Sequence, residues 1–268
     1  MLKIAVFGAN GRMGRAVTRV VSASADAELV GACTESGHAT VGQDVGDLAG
    51  LGSIGIVVTA DASTALAEAD VAIDFTLPAA VADNLAACQS SGCALVMGTT
   101  GLAAEHEQLL EEASKENSIL YGRNLSIGVN VFTALARLAA SYLGPEWDVE
   151  ITETHHRYKL DAPSGTALQL GEAVAGERGV QLQDVAVIGR SGHTGERPKV
   201  AIGFNSIRAG QIVGDHTVAL VSDTETVELR HHAADRELFA SGALRAAQWL
   251  AGQPAGLYSM RDMLGLAK

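Results

Sequence analysis

A glycine-rich turn near the N-terminus constrains the fold of this chain more than any other feature. Lys3–Phe7 is a short apolar run that leads directly into the turn Gly8-Ala-Asn-Gly-Arg-Met-Gly14. Apolar residues from Ala16 to Val21 then recur at helical spacing. A strand, a glycine turn and a helix in this order predict the first unit of a dinucleotide-binding domain, with a pyrophosphate at the helix N-terminus. The spacing G-x-x-G-x-x-G differs from the usual G-x-G-x-x-G, so a glycine turn without a ligand is the alternative.

The second predicted strand ends where such a domain needs an acidic residue. Glu28–Cys33 is strand-like, and Glu35 follows it, about 20 residues beyond Gly14. An acid at this distance accepts hydrogen bonds from the ribose of a bound dinucleotide. Glu35 is therefore a predicted cofactor contact.

Short apolar strands and helices go on alternating as far as Tyr121. The predicted elements are the strands Asp70–Thr76, Ala94–Met97 and Ile119–Tyr121 and the helices Pro78–Ser90 and Ala103–Glu116. This alternation predicts an α/β fold with a Rossmann-type doubly wound parallel sheet. The turns Thr76-Leu77-Pro78 and Gly98-Thr99-Thr100 then fall at the carboxyl edge of the sheet, where cofactors bind.

The pattern changes after Asn124, where a long apolar helix, Leu125–Leu143, is followed by strands with one helix, Ala167–Arg178, among them. The predicted strands are Trp147–His155, Val185–Ile188, Lys199–Arg208, Gln211–Val221 and Thr226–His231. They indicate a second α+β domain on a mainly antiparallel sheet. Arg236–Leu250 is helical again, so we expect domains at 1–125, with 236–268 packing back on it, and at 126–235. The polar loop Arg190–Lys199 is either a mobile surface loop or a lid.

Glu150–Ala167 carries more chemistry than a core strand needs. His155 and His156 are adjacent in a strand, so they point to opposite faces and cannot easily do the same job. Lys159 follows past the strand end, and Ser164 is a predicted N-cap of the next helix. Free N–H groups at that helix start can bind a carboxylate. The segment thus supplies a titratable group, a cation and an anion cradle in order.

A structural role and a metal-binding role are the alternatives to a catalytic role for these histidines. Two histidines on a strand are, taken alone, more often structural groups with satisfied partners. Zinc is the less favoured alternative, because no cysteine or third histidine stands near His155 and His156 at ligand spacing. No metal is therefore expected. A second pair, His231 and His232, lacks a lysine or glycine-rich companion, and we interpret it as mainly structural or rim-lining.

The composition of the chain limits which classes of molecule it is expected to bind. The 268 residues have a net charge of −12, which argues against nucleic acid and against an acidic membrane surface. No apolar run is long enough to span a bilayer, and no signal segment opens the chain. The three cysteines, Cys33, Cys88 and Cys93, form no paired framework, which suits a reducing cytoplasm. Basic residues cluster near the polar motifs, which favours a small anionic substrate.

The motifs together resemble one known family. The run Glu-Ile-x-Glu-x-His-x-x-x-Lys-x-Asp-x-Pro-Ser-Gly-Thr-Ala at Glu150–Ala167 closely resembles the signature of the dihydrodipicolinate reductase (4-hydroxy-tetrahydrodipicolinate reductase) family, from the diaminopimelate route to lysine. Gly8–Gly14, Gly98–Gly101, Asn124–Asn130 and Arg208–Thr217 resemble further parts of the family pattern, so the resemblance covers the whole chain.

This resemblance implies specific roles. It implies an enzyme that uses NADH or NADPH to reduce 4-hydroxy-tetrahydrodipicolinate, a small anionic dicarboxylate, to tetrahydrodipicolinate. His155 would donate the proton with Lys159 as its catalytic partner, and His156, Gly165 and Thr166 would contact the substrate. A family member would be a cytoplasmic homotetramer built through the second-domain sheet, with a hinge between its domains. The implied cofactor contacts are Gly8, Ala9, Asn10, Gly11, Arg12, Met13, Glu35, Gly98, Thr99, Thr100, Gly122, Arg123, Asn124 and Leu125.

Two positions depart from the family pattern. Family members often carry an arginine directly after the ribose-binding acid, where it meets a 2′-phosphate, but Ser36 stands there in this chain. We therefore expect NADH to be used at least as well as NADPH, with Arg12 or Arg15 as the alternative source of a phosphate contact. Arg123 stands where a small residue is common, and the sequence gives no physical account of it.

Two rival functions are weighed against the reductase. A dinucleotide-sensing regulator would explain the glycine turns but leaves His155, Lys159 and the Gly165–Thr166 turn unexplained. An aldehyde dehydrogenase of the same pathway needs a nucleophilic cysteine. Cys88 lies in a helix pattern and Cys93 beside a buried strand, so neither is well placed.

Overall fold

The computed structural model describes residues 1–266, and the chain divides into two compact units. One unit comprises Met1–Ile127 together with the chain from Arg236 onward, and the other comprises Gly128–Asp235. In the first unit, seven strands form one sheet in the order β12-β6-β5-β4-β1-β2-β3. All of their pairings are parallel, as the alternating pattern predicts. The strands are β1 (Leu2–Phe7), β2 (Ala27–Cys33), β3 (Val58–Thr59), β4 (Val71–Asp74), β5 (Ala94–Met97), β6 (Ser118–Tyr121) and β12 (Gly256–Tyr258).

Helices cover both faces of this sheet. On one face, the inward residues Ile4 and Val6 of β1 pack in a cluster with α1 and α9; on the other, Ala5 and Phe7 pack in a cluster with α4 and α5. Consecutive strand residues point to opposite faces, so two buried faces need the continuous apolar run that β1 has. The helices are α1 (Arg12–Ser22), α2 (Val45–Ala49), α3 (Ala62–Leu66), α4 (Val81–Ser91, after a 3-10 turn at Pro78–Ala80), α5 (Ala104–Ala113), α9 (Glu237–Leu250) and α10 (Met260–Leu264).

The second unit contains a five-stranded sheet in the order β11-β10-β7-β9-β8. Its elements are the helices α6 (Ile127–Leu143), α7 (Gly165–Glu177) and α8 (Leu182–Val185) and the strands β7 (Asp148–His155), β8 (Ala186–Ile188), β9 (Ile202–Arg208), β10 (Gly214–Val221) and β11 (Thr226–Ala233). β10 is antiparallel to β7 and β11, but β9 is parallel to β7 and β8. The sheet is therefore mixed rather than mainly antiparallel. The long Gly189–Ala201 connection returns the chain to the starting end of β8, which a tight turn cannot do.

The core of the second unit determines which face of β7 carries the site. Trp147, Val149 and Ile151 are buried against α6 and α7, as the alternating pattern predicts. The same face continues along the strand to Glu153 and His155. Polar side chains therefore follow the apolar ones at the end of the buried face.

Among residues 1–266, no helix combines the length and apolarity needed to cross a bilayer.

Candidate active site

The glycine turn of the first unit allows close approach to its backbone. Gly8 has a φ of 71°, in the left-handed region that favours glycine. A Cβ atom at Gly14 would lie 2.2 Å from the carbonyl oxygen of Gly8, so α1 packs directly against the turn. Gly11 is the N-cap of α1, and no side chain caps the helix. The first N–H groups of α1 therefore remain beside the turn, where they can bind an anion.

The side chains around this turn have different environments. Ala9 is buried, and Met13 is half-buried. The carbonyl oxygen of Asn10 accepts a hydrogen bond from Nε of Arg15 at 3.0 Å. Arg12 is exposed. Arg15 is thus engaged within the turn, and Arg12 is the cation of this turn that faces solvent.

The turns that follow β1, β4, β5 and β6 meet at one edge of the sheet. A Cβ atom at Gly8 would lie 3.2 Å from Cγ2 of Thr76, so the turns after β1 and β4 touch. The N–H of Gly98 donates to the carbonyl oxygen of Asp74 at 2.8 Å. The N–H of Gly122 donates to the last residue of β5 at 3.1 Å. The sheet reverses its strand order between β4 and β1, and ligands of such folds bind outside the strand ends at that point.

Residues at this edge fit a dinucleotide. Thr99 is buried, and its hydroxyl oxygen has no hydrogen-bond partner within residues 1–266. An unsatisfied buried hydroxyl is costly, and a polar ligand would satisfy it. Thr100 beside it is exposed. With the uncapped helix start and the close glycine turn, these residues can hold the phosphates and polar groups of a nicotinamide dinucleotide.

The turn after β6 is held by its own contacts. Oδ1 of Asn124 accepts the backbone N–H of Ser126 at 2.9 Å, and Leu125 is buried. Arg123 is exposed and lies 3.5 Å from the carboxylate of Glu107. Arg123 thus forms an ion pair at the surface, a contact that the sequence alone does not indicate.

Glu35 is exposed directly after β2. The hydroxyl of Thr34 donates to its carboxylate at 3.0 Å. Its own backbone N–H and the hydroxyl of Thr34 lower the pKa of Glu35 below its ordinary value. The carboxylate is therefore ionised at neutral pH and can accept hydrogen bonds from a ribose. Ser36 beside it is also exposed.

The three cysteines do not provide a nucleophile. Cys33, Cys88 and Cys93 are all buried. Burial raises the pKa of Cys33 to about 11, and a hydrogen bond with Cys93, together with burial, raises the pKa of Cys88. Reactive cysteines need a lowered pKa and access to solvent. These thiols therefore do not suit the chemistry of an aldehyde dehydrogenase.

In the second unit, a buried carboxylate holds the ring of His155. Nδ1 of His155 lies 2.6 Å from Oε2 of Glu153, two residues earlier on the same face of β7. The side chain of Glu153 is 1% exposed and that of His155 is 11% exposed. Burial lowers the pKa of His155 below its ordinary value, although the hydrogen bond with Glu153 acts in the opposite direction.

Glu153 is bonded on both of its oxygens. Arg208, on the neighbouring strand β9, donates to Oε1 and Oε2 at 2.8 Å each. The backbone N–H of Ser164 donates to Oε1 at 3.2 Å. Burial alone would raise the pKa of Glu153, but the hydrogen bonds from Arg208 and His155 outweigh it and bring that pKa to about 2. Glu153 is therefore an ionised carboxylate inside the unit.

His216, on β10, packs against His155 and Ser164. Its ring contacts the ring of His155 edge to face, with 5.1 Å between centroids. Nε2 of His216 lies 3.0 Å from Oγ of Ser164, and Nδ1 has no hydrogen-bond partner in the part of the chain that is described. Burial and the neighbouring His155 lower the pKa of His216 to about 4, so this ring is neutral at pH 7.

The predicted anion cradle has the expected local structure. Ser164 is the N-cap of α7, and its hydroxyl accepts the N–H of Ala167 at 3.2 Å. Gly165 is exposed, and a Cβ atom there would meet nothing within 4 Å. Thr166 is half-buried in the first turn. The helix start therefore offers backbone N–H groups next to open space.

Lys159 and His156 follow β7. Nζ of Lys159 lies 2.8 and 2.9 Å from the two carboxylate oxygens of Asp161. The side chain of Lys159 is 20% exposed, and that of Asp161 is 63% exposed. His156 is half-buried, and its ring lies 6.3 Å from the ring of Tyr158. The structure thus gives the lysine a carboxylate partner that the sequence did not assign.

The second histidine pair has structural contacts. The ring of His231 stacks on Phe132 with 6.1 Å between centroids. Nδ1 of His232 lies 2.5 Å from the carboxylate of Asp215 on the neighbouring strand. Within residues 1–266, no group of three His, Cys, Asp or Glu side chains is arranged to hold a metal ion.

Sequence reasoning missed Glu153, Arg208 and His216. One of them had a local signal: Glu153 precedes His155 by two residues, so the strand pattern places both on the buried face. Arg208 and His216 lie in the Arg208–Thr217 stretch that resembles the family pattern, but they reach the site only through the pairing of β9 and β10 with β7. In that register Arg208 is opposite His155, and His216 is opposite Glu153.

Comparisons with known proteins agree on one family. The family model for the dihydrodipicolinate reductase N-terminus matches residues 2–125, and the model for its C-terminus matches residues 128–264. A 4-hydroxy-tetrahydrodipicolinate reductase from Pseudomonas fluorescens is 50% identical over 99% of this chain and 100% of its own length. The same enzyme from Alkalilimnicola ehrlichii is 51% identical over 98% of this chain and 99% of its own length.

A solved structure supports the same assignment. Dipicolinate-bound dihydrodipicolinate reductase from Paenisporosarcina sp. is 26% identical, with a TM-score of 0.74 over 97% of each chain. The N-terminal family model covers most of the unit with the Rossmann-type sheet, and the C-terminal model covers the unit with the mixed sheet. This chain belongs to the dihydrodipicolinate reductase family, the nicotinamide-dependent oxidoreductases of the diaminopimelate route to lysine.

Proposed function

We propose that this chain reduces 4-hydroxy-tetrahydrodipicolinate to tetrahydrodipicolinate with NADH or NADPH, and that His155 delivers the proton. One observation carries the proposal. The ring of His155 is fixed through Nδ1 by an ionised, buried carboxylate, which leaves Nε2 as the nitrogen that exchanges a proton. The reduced nicotinamide, when bound, supplies a hydride to the substrate.

The environment of His155 favours release of its proton. Burial favours the neutral ring, whereas Glu153 favours the charged ring, and the net effect lowers the pKa of His155. A lowered pKa makes the protonated ring a stronger acid. Because Glu153 holds Nδ1, proton loss occurs at Nε2 without rotation of the ring.

The start of α7 and Lys159 are suited to hold a dicarboxylate. Gly165 has open space beside it, and the first N–H groups of α7 carry the positive end of the helix dipole. Lys159 supplies a cation four residues after His155 and would exchange its partner Asp161 for a substrate carboxylate. His156 is the further substrate contact that we assign in this segment. The relative from Paenisporosarcina, named as dipicolinate-bound, supports a planar dicarboxylate as the ligand.

The proton donor is tested by His155→Gln, with His232→Gln as a matched control on the exposed face of the same sheet. The first variant should lose about 10²–10⁴-fold in turnover and keep nucleotide binding, measured by loss of reduced-nicotinamide absorbance. Wild-type turnover in His155→Gln would remove this residue from the mechanism. A wild-type protein that binds nucleotide but never turns over would instead favour the sensing regulator. Lys159→Ala should act like His155→Gln; a change in the Michaelis constant alone would limit Lys159 to binding.

The anion cradle is tested with pyridine-2,6-dicarboxylate. This planar mimic should inhibit competitively with substrate if it occupies the N–H groups of Gly165 and Thr166. A structure with the mimic bound elsewhere and this turn empty would contradict the placement.

We further propose that NADH is used at least as well as NADPH. Glu35 is ionised and would repel a 2′-phosphate, which costs about 1–2 kcal/mol, or about a factor of ten, in a partly wet site. Arg15 is engaged with Asn10, so Arg12 is the remaining candidate for a phosphate contact in this turn. Fluorescence titration with both cofactors tests this on the wild type and on Ser36→Arg, which should gain affinity for NADPH. A wild type that strongly prefers NADPH would contradict the argument from Glu35.

The assembly and location are also proposals. Following the family, we propose a cytoplasmic homotetramer built through the β7–β11 sheet of the second unit. Native mass spectrometry tests the assembly, and any single species other than a tetramer would contradict it.

A further inference from the structure

We propose that Glu153 is the positioning residue of this enzyme: it fixes the proton on Nδ1 of His155 and ties that ring to the start of α7. The inference rests on the proposed function, since it gives Glu153 a purpose only if His155 delivers the proton. It goes further by naming a second side chain on which the proton donor depends.

The contacts of Glu153 divide between its two oxygens. Oε2 faces Nδ1 of His155 at 2.6 Å and one guanidinium nitrogen of Arg208 at 2.8 Å. Oε1 accepts from the other terminal nitrogen of Arg208 at 2.8 Å and from the backbone N–H of Ser164 at 3.2 Å. The side chain is only 1% exposed, so these contacts hold the carboxylate inside the unit. It bridges the proton donor and the residue that caps the anion-binding helix.

This arrangement determines which nitrogen of His155 carries the proton in the neutral ring. An ionised carboxylate only accepts hydrogen bonds, so Nδ1 must be the donor and Nε2 is left free to gain or lose a proton. Space beside Nε2 is provided by Gly214, where a Cβ atom would lie 3.0 Å from that nitrogen. Without Glu153, the hydrogen bond that favours the neutral tautomer protonated on Nδ1 would be lost.

The charged and titratable groups around His155 have opposing effects. Glu153 on β7 raises the pKa of His155, while Arg208 on β9 and Lys159 in the following loop lower it. His216 on β10 faces the ring as a neutral partner, and Asp161 faces Lys159. Removing Glu153 and removing Arg208 should therefore shift the titration of His155 in opposite directions.

The test uses Glu153→Gln with Glu150→Gln as the matched control. Glu150 is on the same strand and is also bonded to two arginines, Arg190 and Arg197, but it lies on the opposite face from His155. Glu153→Gln should lower turnover about ten- to a hundredfold. It should also move the midpoint at which kcat/KM falls with rising pH about one unit lower. Glu150→Gln should leave both unchanged, and Arg208→Gln should move the midpoint upward.

Nitrogen-15 NMR of labelled histidine gives a readout that does not depend on turnover, with His155→Gln identifying the signals. The wild type should carry the proton of neutral His155 on Nδ1, and Glu153→Gln should lose that preference. An unchanged tautomer, or a pH midpoint that moves equally in Glu153→Gln and Glu150→Gln, overturns the inference while leaving His155 as the proton donor. A changed tautomer with full turnover in His155→Gln overturns the proposed function instead. If circular dichroism shows that Glu153→Gln is unfolded, the direction of the shift in Arg208→Gln decides.

Discussion

Replacing His216 with glutamine should make the second unit less sensitive to acid. His216 is 4% exposed, lies between the ring of His155 and Oγ of Ser164, and has an unsatisfied Nδ1. A charged ring there would lose its hydration and meet the neighbouring His155, and the carboxylates of Glu153 and Asp215 offset only part of this cost. Protonation is therefore disfavoured in the folded chain, and the pKa of His216 is lowered from 6.5 to about 4.

The sign and size of the effect follow from linkage between protonation and folding. Below its ordinary pKa, the histidine takes up a proton in the unfolded chain but not in the folded one. The contribution of the neutral His216 ring to the free energy of unfolding is therefore fully present above about pH 6.5. It is lost as the pH falls towards about 4. Between pH 7 and about pH 5 this one group should remove about 2 kcal/mol from the free energy of unfolding, and about 3 kcal/mol by about pH 4.

The measurement is urea unfolding at several pH values in a Trp249→Phe background. Trp147 is then the one remaining tryptophan, and it is buried in the second unit with His216. His216→Gln should lose about 2 kcal/mol less than the parent between pH 7 and about pH 5. A control, His193→Gln in the exposed loop, should follow the parent. Equal losses in His216→Gln and the parent would show that burial does not hold this ring neutral.

Further predictions concern single contacts. Gly214→Ala should lower turnover about tenfold by displacing the His155 ring, because its Cβ would lie 3.0 Å from Nε2; Gly176→Ala, whose Cβ meets nothing within 4 Å, should not. Ser164→Ala should cost about 2 kcal/mol in urea unfolding, since it removes a helix cap and leaves a buried ring nitrogen without its partner. Gly14→Ala should weaken nucleotide binding in fluorescence titration, or prevent folding, because its Cβ would lie 2.2 Å from a carbonyl oxygen of the turn.

Local patterns predicted those parts of the fold that local sequence determines. Ala94–Met97 was predicted with the bounds that the structure has, because a short apolar run ends there at a glycine. The segment between β2 and β4 gave no such signal, and α2, β3 and α3 were not predicted. Part of it is held by the side chain of Asp44, which accepts hydrogen bonds from Ser53 and from the N–H groups of Gly46, Ile54 and Gly55. One carboxylate, rather than a repeating apolar pattern, orders that loop.

The site was predictable only where its residues share a strand or a turn. His155, Lys159 and Ser164 lie within one short segment, so their order along the chain was enough to indicate proton transfer beside an anion cradle. Arg208 comes from β9, and its position opposite His155 depends on strand register. The sequence indicates a mainly antiparallel sheet without assigning a direction to each strand, and β9 pairs parallel with β7. The contact between Arg208 and Glu153 therefore cannot be derived from spacing along the chain.

The burial of Glu153 is itself an argument that the second unit is built around His155. An ion pair inside a protein gains little over apolar residues of similar volume, because both charges lose their hydration. The rest of this face of β7 is apolar from Val149 to Ile151 and would continue equally well with leucine or valine. Glu153 and Arg208 stand there instead, and the carboxylate faces Nδ1 of His155 and accepts hydrogen bonds from its counterion and from the cap of α7. Stability alone does not explain this choice, whereas the orientation of a proton donor beside an anion-binding helix does.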